Sequence, residues 1–286
     1  MSAMAVDFTP GDCSTVIGIT SGKGGVGKTV TAINLAIALA RRGHRVGLVD
    51  ADFALGKIDV MLGLTPKAHL GHVLGGERAF EDAIVSGPAG IRVVPAGTGI
   101  RELSALEPEH WLRLADGLDR FREDLDFLLI DTAAGVSDNV VDLMAACQRV
   151  LVVTTPDPTA LVDGYAVVKL VAGEAPAADL GMLVNQARTP EEATLVFRQL
   201  EAAARRFLGR RLSFYGSVPH DPALGEAVRS QQALVDRLPQ APASRSFRLL
   251  ASRMAGLGPV PSQALRLPAR TLALAYSRTQ EVSRCA

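Results

Sequence analysis

The chain has 286 residues, 48% of them hydrophobic, and its 30 basic and 30 acidic side chains cancel. That length buries a sizeable core, while the charge balance excludes a global pull toward nucleic acid or anionic membrane and leaves only local patches. Three scattered cysteines (Cys13, Cys147, Cys285) with no C-x-x-C pair exclude a disulfide or metal framework and fit a reducing compartment. In chain order, residues 1–14 read as a flexible N-terminus without the basic and apolar regions of a signal peptide. An apolar run predicts a first strand at 16–20, and Ile33, Ala36, Ile37 and Ala40 at helical spacing predict a helix at 30–42. Further strands are expected at 46–50, 91–95, 127–131, 150–155, 181–185 and 213–218. Amphipathic helices are expected at 109–123, 138–147, 161–171, 190–207 and 243–257. Strands this rich in Val, Ile and Leu belong to a parallel sheet with helices on both faces. Gly256 to Pro261 break the pattern and set off a tail. The expected organisation is one doubly wound, mostly parallel α/β domain, 15–257, followed by a C-terminal tail, 258–286, that offers an amphipathic helix. No window approaches the run of about 18 apolar residues needed to span a bilayer, so the expected location is cytoplasmic. The pair His69 and His72 is too isolated to suggest a metal site.

Between the first strand and the first helix, Ser21 to Thr29 read S-G-K-G-G-V-G-K-T, with a full G-x-x-x-x-G-K-T phosphate loop from Gly22 to Thr29. Gly24, Gly25 and Gly27 permit backbone angles that bring N–H groups close to an anion. Lys28 is placed to reach β- and γ-phosphates, and the Thr29 hydroxyl to ligate Mg²⁺. The helix N-terminus adds its dipole. The nucleotide-binding set is therefore Gly24, Gly25, Val26, Gly27, Lys28, Thr29 and Val30. Lys23 is a second lysine with no evident role inside its own subunit.

In an open α/β sheet the ligand lies beyond the carboxyl ends of the strands. The second expected strand ends in Asp50-Ala51-Asp52, the fourth in Asp131-Thr132-Ala133-Ala134-Gly135, and the sixth in Asn185. Asp131, after four apolar residues, reads as the acid that holds a water on Mg²⁺, and Gly135 opens a loop able to sense a γ-phosphate. Asp50 and Asp52 point to different sides of their strand end. One suits the Mg²⁺ water shell, the other an attacking water. Turn capping is the competing reading for all of these aspartates, and for Asn185 most of all.

Taken together, Lys23 to Thr29, Asp50-Ala51-Asp52 and Asp131 to Gly135 resemble the MinD/ParA class of deviant Walker ATPases. Residues 50–66, 156–169 and 218–229 extend the likeness over most of 15–254 and resemble in particular the flagellar-number regulators FleN and FlhG. The resemblance implies a P-loop NTPase fold of the SIMIBI type and a monomer that dimerises face to face on binding ATP. It implies that Lys23 crosses to the partner's nucleotide, that Lys28 and Asp52 complete the catalytic set, and that Thr29, Asp50 and Asp131 hold Mg²⁺. Asn185 would contact adenine, helped by backbone near Pro219 and by Asp221, and Asp157 would reach across the dimer. There are three departures. Gln186 replaces an arginine common after the asparagine, and the N-terminus lacks the D-Q-A-x-x-L-R element of some FlhG proteins. In the tail, Pro268 interrupts the early part of a helix carrying Arg266, Arg270 and Arg278.

The resemblance thus implies a slow ATPase acting as a switch on flagellar number or placement. Its expected partners are an FlhF-type GTPase and a flagellar transcription activator. It would be cytoplasmic, or peripheral at the inner membrane or cell pole if the tail binds lipid. A MinD-like division-site or ParA-like partition ATPase is the alternative. The latter would need a basic surface, for which the stretch 203–211 is a local cluster, and no strong nucleic-acid signal exists. An iron–sulfur carrier on the same scaffold would need interface cysteines that this chain does not offer.

Overall fold

A computed structural model describes residues 14–97 and 106–258; apart from Ser14 and Gly258, the N-terminus and the C-terminal tail lie outside the described residues. The elements run β1 (Thr15–Thr20), α1 (Lys28–Ala40), β2 (Val46–Ala51), α2 (Ile58–Leu62), α3 (Leu70–Leu74), β3 (Val85–Ser86), β4 (Arg92–Val94), α4 (Pro108–Arg122), β5 (Phe127–Thr132) and α5 (Asp138–Ala145). They continue with β6 (Arg149–Thr154), α6 (Pro158–Glu174), β7 (Asp179–Ala187), α7 (Pro190–Leu208), β8 (Ser213–Pro219), α8 (Pro222–Arg229), α9 (Leu234–Arg237) and α10 (Pro242–Gly256).

The strands form one sheet in the order β3-β4-β2-β5-β1-β6-β7-β8, parallel except for the β3–β4 pair. Alternation along each strand divides the core in two. Ile17 and Ile19 join α1, α9 and α10 on one face. Val16, Leu128 and Ile130 join α4, α5, α6 and α7 on the other. Both sides of β1, β2, β5 and β6 are buried, which is why these strands read as unbroken apolar runs. From β1 the chain moves toward β2 and β4, returns through β5, and then builds β6, β7 and β8 on the opposite side. The turn after β1 therefore opens at the point where strand order reverses, the crevice in which open α/β sheets bind ligands.

The expected doubly wound fold is present, with an eighth strand that the sequence reading lacked. That strand, β3, is two residues long, below the length at which alternation carries information. Buried Arg149 closes the base of the sheet, donating from Nη2 to the carbonyls of Leu257 at 3.2 Å and Gly258 at 3.0 Å, where α10 ends.

Candidate functional site

Helix α1 starts without a cap. Its N-cap is Gly27, in the left-handed region at φ 92°, with no side-chain acceptor and no acidic residue in the first turn. By contrast, α6, α7 and α8 are capped by Asp157, Thr189 and Asp221. The free N–H groups at the start of α1, with Gly24 and Gly25 exposed beside them, form an anion seat. The loop is held from three sides. Buried Asn185 donates its Nδ2 to the Val26 carbonyl at 2.7 Å, Gly135 N–H donates to the Ser21 carbonyl at 2.8 Å, and α6 packs on Gly22. A Cβ at Gly22 would lie 2.2 Å from the Asp163 carbonyl. One at Gly27 would lie 2.2 Å from Asn185 Nδ2. Gly27→Ala is therefore expected to lose about 1–3 kcal/mol from the backbone angle alone and to displace Asn185. Thermal unfolding together with fluorescent-nucleotide titration checks it; the expected outcome is a lower Tm and lost binding.

Three carboxylates converge below this seat. Asp131, 1% exposed, feels the nearby Thr29 hydroxyl together with Lys28, Asp50 and Asp52. Burial pushes its pKa up to about 7 despite the opposing Lys28 charge and Thr29 hydroxyl. Its Oδ1 is buried with no hydrogen-bond partner. Asp50, also 1% exposed, is raised by burial to about 6. Its Oδ2 accepts from Lys57 N–H at 2.7 Å and Ile58 N–H at 3.0 Å, and its Oδ1 from Asp52 N–H at 3.1 Å. The loop-holding role, weighed above as the competing reading, is therefore real for Asp50. Asp52 sits half-buried at the rim and spends Oδ1 on Leu55 N–H at 3.1 Å.

This donor set fits Mg²⁺: a hydroxyl, an orphaned buried carboxylate oxygen and a phosphate seat suit a hard cation that keeps several waters. Among the described residues no group of three His, Cys, Asp or Glu forms a metal cage by itself.

The two raised aspartates make a pH prediction. A folded-state pKa above the unfolded value adds stability at low pH that is lost as pH rises through the folded pKa. The nucleotide-free protein is thus expected to lose stability between about pH 4 and pH 7. Asp131→Asn should flatten that slope and raise the Tm above pH 7, read by unfolding scans across the pH range.

The remaining expected residues are scattered around the same rim. Pro219 ends β8 and pairs with Ala187 of β7. Asp221 uses both oxygens on helix starts, Oδ1 from Ala223 N–H at 3.0 Å and Oδ2 from Ala243 N–H at 3.1 Å. Gln186 adopts a left-handed φ of 56° at an irregularity of β7 and opens onto a cavity of about 450 Å³ shared with Asp157, Arg188 and Glu192. Lys23 corrects the reading above, because it does have a partner within its own subunit. Its Nζ lies 3.2 Å from Asp157 Oδ2 and 2.7 Å from Thr159 Oγ1. The sequence reading missed Thr159 by starting the helix at 161. Asp157 before Pro158, a helix-start signal, was available to find it.

The arginine cluster at 203–211 is largely spent internally. Arg205 pairs with Glu201, Arg206 lies over the Phe207 ring, and Arg210 donates to the Ala178 carbonyl at 2.8 Å. His69 and His72 stack with ring centroids 3.8 Å apart. Cys147 is buried and donates Sγ–H to the Leu143 carbonyl.

An uncapped helix behind a glycine loop, beside converging carboxylates at the switch point of a parallel sheet, defines a P-loop nucleotide-binding protein. Residues 17–235 match the CobQ/CobB/MinD/ParA nucleotide binding domain, and the chain belongs to that family. It is similar to the antiactivator FleN of Pseudomonas aeruginosa, 39% identical over 84% of this chain and 85% of the relative. It is also similar to the flagellum site-determining protein YlxH of Helicobacter pylori, 29% identical over 92% of this chain and 88% of the relative. Among solved structures, the septum site-determining protein MinD of Pyrococcus horikoshii, complexed with Mg-ADP, superposes with a TM-score of 0.72 at 26% identity. That match covers 85% of this chain and 97% of the other. The family thus binds nucleotide with Mg²⁺. Among the described residues no helix is long and apolar enough to cross a membrane.

Proposed function

We propose that this protein is an ATP-timed dimerising switch that sets flagellar number or placement. The observation that carries the reading is Lys23. A phosphate loop already supplied with Lys28 holds a second lysine with a 41% exposed side chain, paired with Asp157 at the start of α6. A cation placed there serves a nucleotide presented by a second copy of the chain, as an arginine finger does in other P-loop proteins. Bound Mg²⁺ would neutralise charge developing on the transferred phosphoryl group. Thr29, Asp50 and Asp131 would hold it, Lys28 would cradle the β- and γ-phosphates, and Asp52 would orient the attacking water. Asn185 would stay on the loop through Nδ2 and offer its orphaned Oδ1 to the adenine amino group, beside Pro219 and Asp221.

The flagellar assignment is supported by the likeness to the antiactivator FleN and to the flagellum site-determining protein YlxH over most of this chain. Its partners would be a signal-recognition-type GTPase and a flagellar transcription activator, with slow hydrolysis in their absence. Two measurements test the reading: sedimentation with ADP and with ATP, and flagellar counts in a deletion strain. A dimer only with ATP and an altered flagellar number are expected. A nucleotide-independent monomer, or unchanged flagella with misplaced septa, would point away from it.

A further inference from the structure

Lys23 does not hang free in this subunit; the N-terminal turn of α6 holds it. Asp157 Oδ2 lies 3.2 Å from its Nζ, and the Thr159 hydroxyl oxygen accepts from it at 2.7 Å. The same hydroxyl donates to Asp157 Oδ1 at 2.7 Å, and Asp157 Oδ1 also accepts the Thr159 and Ala160 N–H groups as the cap of α6. Thr159 is thus used in both directions, joining the lysine to the capping carboxylate.

Electrostatics make the arrangement depend on Asp157. The start of a helix carries partial positive charge and repels a lysine. The ionised cap offsets that repulsion. The Thr159 hydroxyl and N–H, and then Lys23, hold the Asp157 carboxyl well below the usual carboxylate range. The position of this turn is fixed to the loop one residue upstream, because α6 packs on Gly22 so closely that a Cβ would overlap the Asp163 carbonyl. Yet the ion pair is open, with side chains 41% and 45% exposed, so the lysine can leave without disturbing the core.

We infer that Asp157 and Thr159 form a seat in cis that parks Lys23 in the monomer, and that dimerisation must draw the lysine out of it. Thr159 is a positioning residue for a lysine that acts elsewhere. The inference rests on the proposed trans role of Lys23. Contacts made only in the monomer subtract from dimer affinity, and each dimer empties two seats. Losing the Thr159 hydroxyl is then worth about threefold per seat, hence about tenfold per dimer, modest because the site is solvent-screened.

The test uses the full chain with Mg²⁺ and a non-hydrolysable ATP analogue. Thr159→Val keeps the backbone bonds of the cap and removes the hydroxyl, whereas Thr159→Ser restores it. Sedimentation should give a dimer midpoint about tenfold lower for Thr159→Val and unchanged for Thr159→Ser. In the nucleotide-free protein, acylation of Lys23 by an amine-reactive ester, followed by peptide mass spectrometry, should run about threefold faster in Thr159→Val alone. Unmoved midpoint and acylation in Thr159→Val, or a serine variant that behaves like valine, would overturn the seat. Lys23→Ala separates the two levels. If it turns over ATP normally the trans role fails, whereas a dead Lys23→Ala beside an unmoved Thr159→Val sinks the seat alone.

Discussion

Asp52→Ala is expected to bind ATP, dimerise and stay dimeric, with turnover reduced by about 10²–10⁴-fold, the usual worth of a group that positions or deprotonates a nucleophile. The structure separates this loss from misfolding. Asp52 is only half-buried, and its side chain gives up one hydrogen bond, to Leu55 N–H. That bond is worth about 0.5–1.5 kcal/mol. Asp50, which makes three bonds to backbone N–H groups, is the residue whose loss would collapse the loop from 52 to 58. Unfolding curves close to wild type, phosphate release near background and an ATP-stable dimer in sedimentation are the expected set. A variant that hydrolyses ATP at the wild-type rate would remove Asp52 from the chemistry.

Lys23→Ala is expected to fold normally and to lose about 10³–10⁵-fold in turnover per bound ATP, the range measured when a cation supplied in trans is removed. Lys28 remains to bind phosphate, so nucleotide affinity of the monomer should change little. The intramolecular ion pair lost with Lys23 is exposed on both sides and contributes little to stability. Steady-state turnover measured across protein concentrations, beside equilibrium nucleotide titration, distinguishes the loss of a catalytic cation from the loss of binding.

The parts of this site that local patterns encode were readable in the chain. The loop from Gly22 to Thr29, the acids at the ends of β2 and β5, and the longer helices stand where residue spacing places them, because burial on both faces leaves continuous apolar runs. What escaped was set by contacts between distant segments. Asn185 reaches a carbonyl 159 positions earlier, and Lys23 is seated on a residue 134 positions later. Asp221 ties the start of α8 to that of α10. None of these pairings leaves a periodic trace. The short helices α2, α3, α8 and α9 escaped for another reason, since so short a segment makes only one or two turns, too few for a hydrophobic repeat to show. The first turn of α6 is different. Its capping Asp157 and following Pro158 were visible, and only the apolar spacing that begins later drew the boundary to 161.

The seat on α6 also alters how the extra lysine is understood. A lysine with no task in its own subunit would cross to a partner freely, whereas one already bonded to Asp157 and Thr159 makes crossing an exchange of contacts. On the proposed crossing, dimer formation would be gated within each subunit before any partner protein acts.

The central claim, that Lys23 of one subunit serves the nucleotide held by the other, is tested most directly by mixing Lys23→Ala with Asp52→Ala protein. In a mixed dimer, the site on the Lys23→Ala chain keeps its own Asp52 and receives Lys23 from its companion. Each variant alone should be inactive. An equal mixture should recover about a quarter of wild-type turnover, since half the dimers are mixed and one of their two sites is complete. A mixture in which mass measurement shows mixed dimers but turnover stays at background would contradict the account.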